Sequence, residues 1–106
     1  MSKVYAVDFD GTLCTEEFPN IGKPIWRVIH FLQSKQLNGD KLILWTCREG
    51  KCLDEAIGWC ADVGLLFDAV NCNLPERINK YKNDTRKIGA DYYIDDRNIN
   101  INEIGV

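Results

Sequence analysis

The stretch from Val4 to Leu13, Val-Tyr-Ala-Val-Asp-Phe-Asp-Gly-Thr-Leu, is an apolar run that ends in two carboxylates one residue apart. A buried strand of β-branched and aromatic residues is rigid, so acids at its carboxyl end are fixed in space. Two negative charges that close together are costly unless a cation lies between them. Asp10-Gly11 between apolar runs is equally a signal for a hairpin turn, and the segment alone leaves both readings open.

Two further runs break the tie. Lys41 to Thr46 is apolar and ends in a hydroxyl residue followed by Cys47 and Arg48; Asp91 to Ile94 ends in Asp95-Asp96-Arg97, with Lys87 upstream. Three strands that each deliver polar groups at their carboxyl ends bring them to one edge of an open parallel sheet, where such sheets bind ligands.

Between these strands the pattern predicts helices. Pro24 is expected in the first turn of a helix that stops at Asn38-Gly39, with Ile25, Val28, Ile29 and Leu32 as its buried stripe and His30 off it. A second helix is expected from about Leu53 to Val63, with Leu53, Ile57 and Cys60 on one face and Gly64 as its cap. Leu66 to Asn71 reads as a third strand, Glu76 to Tyr81 as a short helical turn, and Thr85 to Ile88 as another turn closed by Gly89. Leu13 to Lys23 reads as a loop, and Ile99, Ile101 and Ile104 as a brief apolar edge. The alternation of strands and helices argues for an α/β domain, a parallel sheet with helices on both faces. Trp26, Trp45 and Trp59 each fall in a regular element and are read as core or rim.

At 106 residues the chain is expected to be one domain. No apolar run approaches the roughly 20 residues needed to span a bilayer, and the N-terminus lacks a signal-peptide pattern, so a cytoplasmic location is expected. A net charge of −3 gives no general pull toward nucleic acid or anionic membranes, so any attraction to polyanions must be local. Five cysteines without a Cys-x-x-Cys pair, and a single histidine, favour free thiols over a zinc site; Cys14 and Cys47 flank the proposed site.

Asp-Phe-Asp-Gly-Thr (8–12), Trp-Thr-Cys-Arg (45–48), Lys87 and Ile-Asp-Asp-Arg (94–97) resemble, in order and spacing, the four motifs of the haloacid dehalogenase (HAD) superfamily, mostly phosphatases. The longer strings around Trp45 and Asp95 are similar to very small, largely uncharacterised hydrolases of bacteria and their phages in that superfamily. The resemblance implies a three-layer α/β/α Rossmann-like core with strand order 3-2-1-4, and the short segments between motifs imply that no cap domain is inserted.

It also implies roles. Asp8 would be the nucleophile and Asp10 the general acid and then the base that activates water. Thr46 would donate to a phosphoryl oxygen, and Lys87, with Lys82 as runner-up, would neutralise charge. Magnesium would be held by Asp8, the backbone carbonyl of Asp10 and the Asp95–Asp96 pair, Asp95 most directly. Read from the residues themselves, Gly11 lets the backbone turn beside the phosphoryl group and Thr12 braces the loop by hydroxyl-to-backbone bonds, while Arg48 and Arg97, just beyond the motifs, either steer phosphate by bidentate contact or form surface salt bridges.

The expected activity is a magnesium-dependent phosphomonoester hydrolase working through aspartyl-phosphate on a small molecule or a macromolecule, with a partner subunit as a possible lid. One alternative is a nucleic-acid end phosphatase, since polynucleotide 3′-phosphatases share the Asp-Asp-Arg string. The other is a non-enzymatic phospho-acceptor module like the response-regulator receivers, although these carry the phosphorylated aspartate on a middle strand.

Overall fold

The computed structural model describes residues 2–105. Four strands, β1 (Val4–Val7), β4 (Lys41–Leu44), β5 (Ala69–Val70) and β6 (Tyr92–Ile94), form a parallel sheet in the order β5-β4-β1-β6. Counted along the chain, these are the third, second, first and fourth strands of the sheet. Tyr5, Ala6 and Val7 of β1 and Leu42, Ile43 and Leu44 of β4 are all buried, as expected of central parallel strands covered on both faces.

The connectivity explains which helix lies where. The steps from β1 to β4 and from β4 to β5 run in the same direction across the sheet. Right-handed crossovers therefore carry α1 (Trp26–Leu37) and α2 (Gly50–Asp62) over one face. Ile29 and Leu32 of α1 and Ala56 and Cys60 of α2 share a core with Tyr5, Val7, Leu42 and Leu44. The step from β5 back to β6 runs the other way, over the opposite face. There Ala6 and Ile43 cluster with Leu74 and Ile88, the partly buried Val4, Ala69 and Ala90 pack against them, and α3 (Pro75–Tyr81) buries no residue of its own. One face of the sheet is deeply packed and the other thinly covered.

The amino ends of the strands are closed by carboxylates. Asp91 accepts from the Val4 N–H at 2.7 Å, Asp68 from Leu42 at 2.8 Å and Asp40 from Lys3 at 2.8 Å. Three of the chain's acids are thereby structural, and the free strand ends of the sheet are the carboxyl ends.

Several expectations need correction. Leu13 to Lys23 is not a loop: β2 (Cys14–Glu17) and β3 (Asn20–Pro24) pair antiparallel around a turn with a cis Phe18–Pro19 bond. Pro24 consequently ends β3, and α1 begins at Trp26 behind Ile25. Their polar residues gave no alternation from which the hairpin could be read. The third strand shrinks to Ala69–Val70, with Leu66 71% exposed. On α2, Ala56 takes the buried place expected of Ile57, which is exposed. The segment 82–90 contains no helical turn, and Ile99, Ile101 and Ile104 are solvent-exposed around a short 3-10 helix, Ile101–Glu103.

That segment is ordered instead by Asn73, which is 1% exposed. Its amide nitrogen donates to Asp84 Oδ1 at 2.8 Å and to the Thr85 carbonyl at 3.0 Å, while its Oδ1 accepts from the Gly89 N–H at 2.7 Å. Asn73→Leu fills the same space but leaves the loop's polar groups without partners. It should cost about 3 kcal/mol in urea unfolding, and amide exchange should accelerate most at 84–89.

Candidate functional site

Strand register builds the site. Val7 is level with Leu44 on one side and Ile94 on the other, so Asp8, Trp45 and Asp95 leave the sheet at one height. The Asp8 N–H donates to the Ile94 carbonyl at 2.9 Å and the Trp45 N–H to that of Val7 at 2.8 Å, holding the three strand ends together. Carboxylate oxygens of Asp8, Asp95 and Asp96 lie within 4.8 Å of one another. Burial first, and then the charge of Asp95, push the Asp8 carboxyl up to about 6. Such a cluster has the hard-oxygen donors and the unbalanced negative charge that suit magnesium.

Neighbouring residues orient these acids. The Thr12 hydroxyl donates to Asp8 Oδ2 at 3.1 Å, and Thr12 is 5% exposed, so it braces the nucleophile candidate itself and not, as expected, the loop backbone or a substrate. Asp95 Oδ1 accepts from the Arg97 N–H at 2.9 Å, which fixes its rotamer. Gly11 has φ +84°, and a Cβ there would overlap the Asp96 carboxylate. Glycine at this position serves both the turn and the approach of Asp96.

On the β4 side, Thr46 Oγ1 accepts from the Arg48 N–H at 3.1 Å, which leaves the hydroxyl proton to be donated outward. The Thr46 N–H is itself held by Asn71 Oδ1 at 2.8 Å. Asn71, in the left-handed region at φ 54°, is a supporting residue that a polar position after an apolar run did not reveal.

Arg48 departs from expectation. It is 2% exposed and directed inward, not toward an incoming phosphate. Its Nε and Nη2 donate to the two oxygens of Asp10, each at 2.8 Å. Nη2 also reaches the Asn20 carbonyl at 3.0 Å and Nη1 the Pro19 carbonyl at 3.3 Å. The guanidinium lies between the rings of Phe9 and Phe18, 5.0 Å from each centroid. Arg48 thus fastens Asp10, the hairpin turn and the start of α2 together, and the role of phosphate-steering arginine is withdrawn from it.

A cleft of about 340 Å³ opens over these groups, lined by Asp8, Asp10, Thr46, Cys47, Asp95 and Arg97. Glu16 and Phe18 of the hairpin also border it and were missed, because an isolated Phe in a polar stretch carries no periodic signal. Lys87 does not line this cleft. It borders an adjoining cavity of about 280 Å³ that contains Asp95 and Trp45, whereas Lys82 caps α3 and lines neither. Of the flanking thiols, Cys47 is exposed and Cys14 is buried with its pKa raised by that burial, so only Cys47 is accessible. The remaining cysteines are also unpaired, and burial pushes the Cys60 thiol up to about 12. His30 is exposed on α1, beside Trp26.

No family model and no curated protein matches the chain. A solved structure of a conserved protein from Bacteroides thetaiotaomicron is similar to it at 42% identity and TM-score 0.82, over all of this chain and 84% of that one. The chain belongs to that protein's family. The two share their fold over the whole length of this chain. No helix among the described residues is long and apolar enough to cross a membrane.

Removing the guanidinium strands Asp10 and the two hairpin carbonyls. Arg48→Ala should cost about 3 kcal/mol in denaturant unfolding, as for a buried pair broken from one side. Arg48→Lys should recover only part of it, because an ammonium cannot make the bidentate fork.

Proposed function

We propose that the protein is a phosphomonoester hydrolase of the HAD type, dependent on magnesium and acting through an aspartyl-phosphate on Asp8. The observation that carries this reading is the convergence of Asp8, Asp95 and Asp96 at the carboxyl edge of a parallel sheet, in the cleft that Thr46 and Asp10 also line. The strand order, and the short connection between β5 and β6, suit a HAD core without a cap.

Magnesium fits the three carboxylates of Asp8, Asp95 and Asp96, with the Asp10 carbonyl as the further donor that the motif implies; when bound, it would neutralise the phosphoryl oxygens and the acids around them. The chain's own groups divide the remaining work. Asp8, fixed by Thr12, attacks phosphorus through a carboxylate oxygen while the bond from phosphorus to the leaving oxygen breaks. Thr46 supplies its free hydroxyl proton to a phosphoryl oxygen, and Lys87 adds positive charge from the Asp95 side.

Asp10 protonates the leaving oxygen and then removes a proton from the water that cleaves the aspartyl-phosphate. The fork of Arg48 occupies two of the roughly four lone-pair sites of this carboxylate, which leaves acceptor capacity for that water in a fixed orientation. Arg97 is the arginine that borders the cleft with its side chain uncommitted to any hydrogen bond among the described residues, and it suits phosphate capture.

Asp8→Asn should abolish magnesium-dependent turnover of an aryl phosphate, because an amide is neither a nucleophile nor a good ligand for a hard cation. Near wild-type rates from this variant, with contaminating phosphatase excluded, would sink the proposal. Asp10→Asn keeps an acceptor for Arg48 but removes its counter-charge, so it should fold with reduced stability; it should lose on the order of 10²-fold or more in turnover and accumulate a phosphoenzyme visible by intact mass.

The raised pKa of Asp8 has a thermal signature. The folded protein holds this proton to about 6, whereas the unfolded chain releases it near the ordinary aspartate value of 3.8. The metal-free protein therefore loses stability from this group as pH rises through that window. Magnesium should raise Tm more at about pH 7.5 than at about pH 4.5, and Asp8→Asn should flatten the difference. Differential scanning fluorimetry reads both.

A further inference from the structure

The thinly covered face of the sheet carries a groove of about 740 Å³ beside β6, outside the cleft described above. Arg77, Lys80 and Tyr81 of α3 form one wall, and Lys87 and Tyr93 contribute to the other. The Arg77 guanidinium lies 4.9 Å and the Lys80 ammonium 5.3 Å from the Tyr81 ring centroid, and the Lys87 ammonium 5.8 Å from that of Tyr93. Aromatic rings, not carboxylates, hold these three cations. Among the described residues the ion pairs are Lys41–Asp68 and Arg48–Asp10, and neither is here.

The nearby acids are largely engaged. Asp84 accepts from Asn73 and Asp91 from the Val4 N–H, leaving Glu76 as the uncommitted carboxylate of the groove wall. Residues 75–90 contain five basic and two acidic side chains, on a chain whose net charge is −3. The groove lining itself sets three cations, Arg77, Lys80 and Lys87, against two acids, Glu76 and Asp91, a slightly positive balance on a negative chain. Gly89 contributes as well, because any side chain there would overlap the Arg77 guanidinium.

The groove adjoins the side of the sheet edge on which Asp95 lies. Lys87, Ile88 and Tyr93 line both it and the adjoining cavity, which reaches Trp45 and Asp95 at the carboxyl edge. A ligand lying in the groove meets three cations without carboxylate partners and two tyrosines, and the cavity next to it is bordered by Asp95.

We infer that this groove binds single-stranded nucleic acid and presents its terminal phosphate to the site. A row of cations matches a polymer with a phosphate on every unit, and exposed rings at intervals match bases whose faces are free to stack. A duplex hides those faces, and the seven-residue α3 is too short to serve as a major-groove reading helix. A phosphorylated protein segment offers one such anion instead of a row. The inference rests on the phosphatase reading for its chemistry. The terminal ester's P–O bond breaks as Asp8 bonds to phosphorus, the polymer's oxygen takes the Asp10 proton, and water then releases inorganic phosphate and returns a proton to Asp10.

The test measures fluorescence anisotropy of a labelled oligothymidylate of about ten nucleotides, with and without a terminal phosphate, across a salt series, and steady-state rates on that oligonucleotide and on an aryl phosphate. Binding should weaken as salt rises. Lys80→Glu and Tyr81→Ala should each weaken binding and lower kcat/KM on the oligonucleotide by about 10-fold, and should leave aryl phosphate turnover unchanged. Asp8→Asn should keep the binding and lose the turnover. Binding that is indifferent to Lys80→Glu, or equally tight to duplex or to a monophosphopeptide, would overturn the inference while leaving the phosphatase reading intact. Oligonucleotide binding that depends on the groove, in a wild-type protein without phosphatase activity toward either substrate, would overturn the phosphatase reading instead.

Discussion

The position of β1 between β4 and β6 is the constraint from which the rest of the structure follows. Parallel pairing on both sides, with Val7 level with Leu44 and Ile94, brings the ends of three strands to one height. Polar side chains just past those ends then share a small volume whether or not they attract one another. Asp8, Asp95 and Asp96 do not: burial first, and then the charge of Asp95, raise the Asp8 pKa, so the apolar packing of β1 works against both desolvation and electrostatic repulsion at its own end. The core of Tyr5, Val7, Leu42 and Leu44 against α1 and α2 opposes that repulsion in the fold, and a divalent cation would relieve it.

Arg48 converts a local feature into a tertiary one. Alone, Asp10 would be a flexible acid on a turn. The bidentate fork fixes it, and the same guanidinium ties down the Pro19 and Asn20 carbonyls and packs between Phe9 and Phe18. Such a buried cation is costly to desolvate and persists where its donors are well matched. Here the hairpin that walls the cleft and the acid beneath it are positioned by one side chain, so the shape of the cleft and the orientation of Asp10 are coupled.

The two faces of the sheet have different tasks because the chain reverses direction across it. Both same-direction crossovers place their helices on one face and build most of the core there. The single return crossover has only α3 and the segment that Asn73 organises to spend on the other. The thin cover leaves room for a groove that adjoins the carboxyl edge.

Much of this was legible in the residues. Continuous apolar runs marked β1 and β4, Gly64 marked the end of α2, and the acids after Val7 and Ile94 marked the edge where they meet. These signals are local: a strand's composition, a helix's period and a glycine at positive φ depend on neighbours within a few positions. Arg48 could not be assigned that way, because its partners Asp10, Pro19 and Asn20 lie 28 to 38 residues away and a side chain facing inward or outward at that position has the same sequence. The hairpin escaped for a related reason, since its polar strands pair with each other outside the main sheet and need no alternating pattern. The three acids that close the amino edge, and Asn73, likewise acquire their roles from backbone groups brought close only in three dimensions. The sequence by itself determined which strands end in acids and hydroxyls and at which end; tertiary structure decided which of those charges face the cleft and which hold the others in place, because that choice depends on long-range partners and burial.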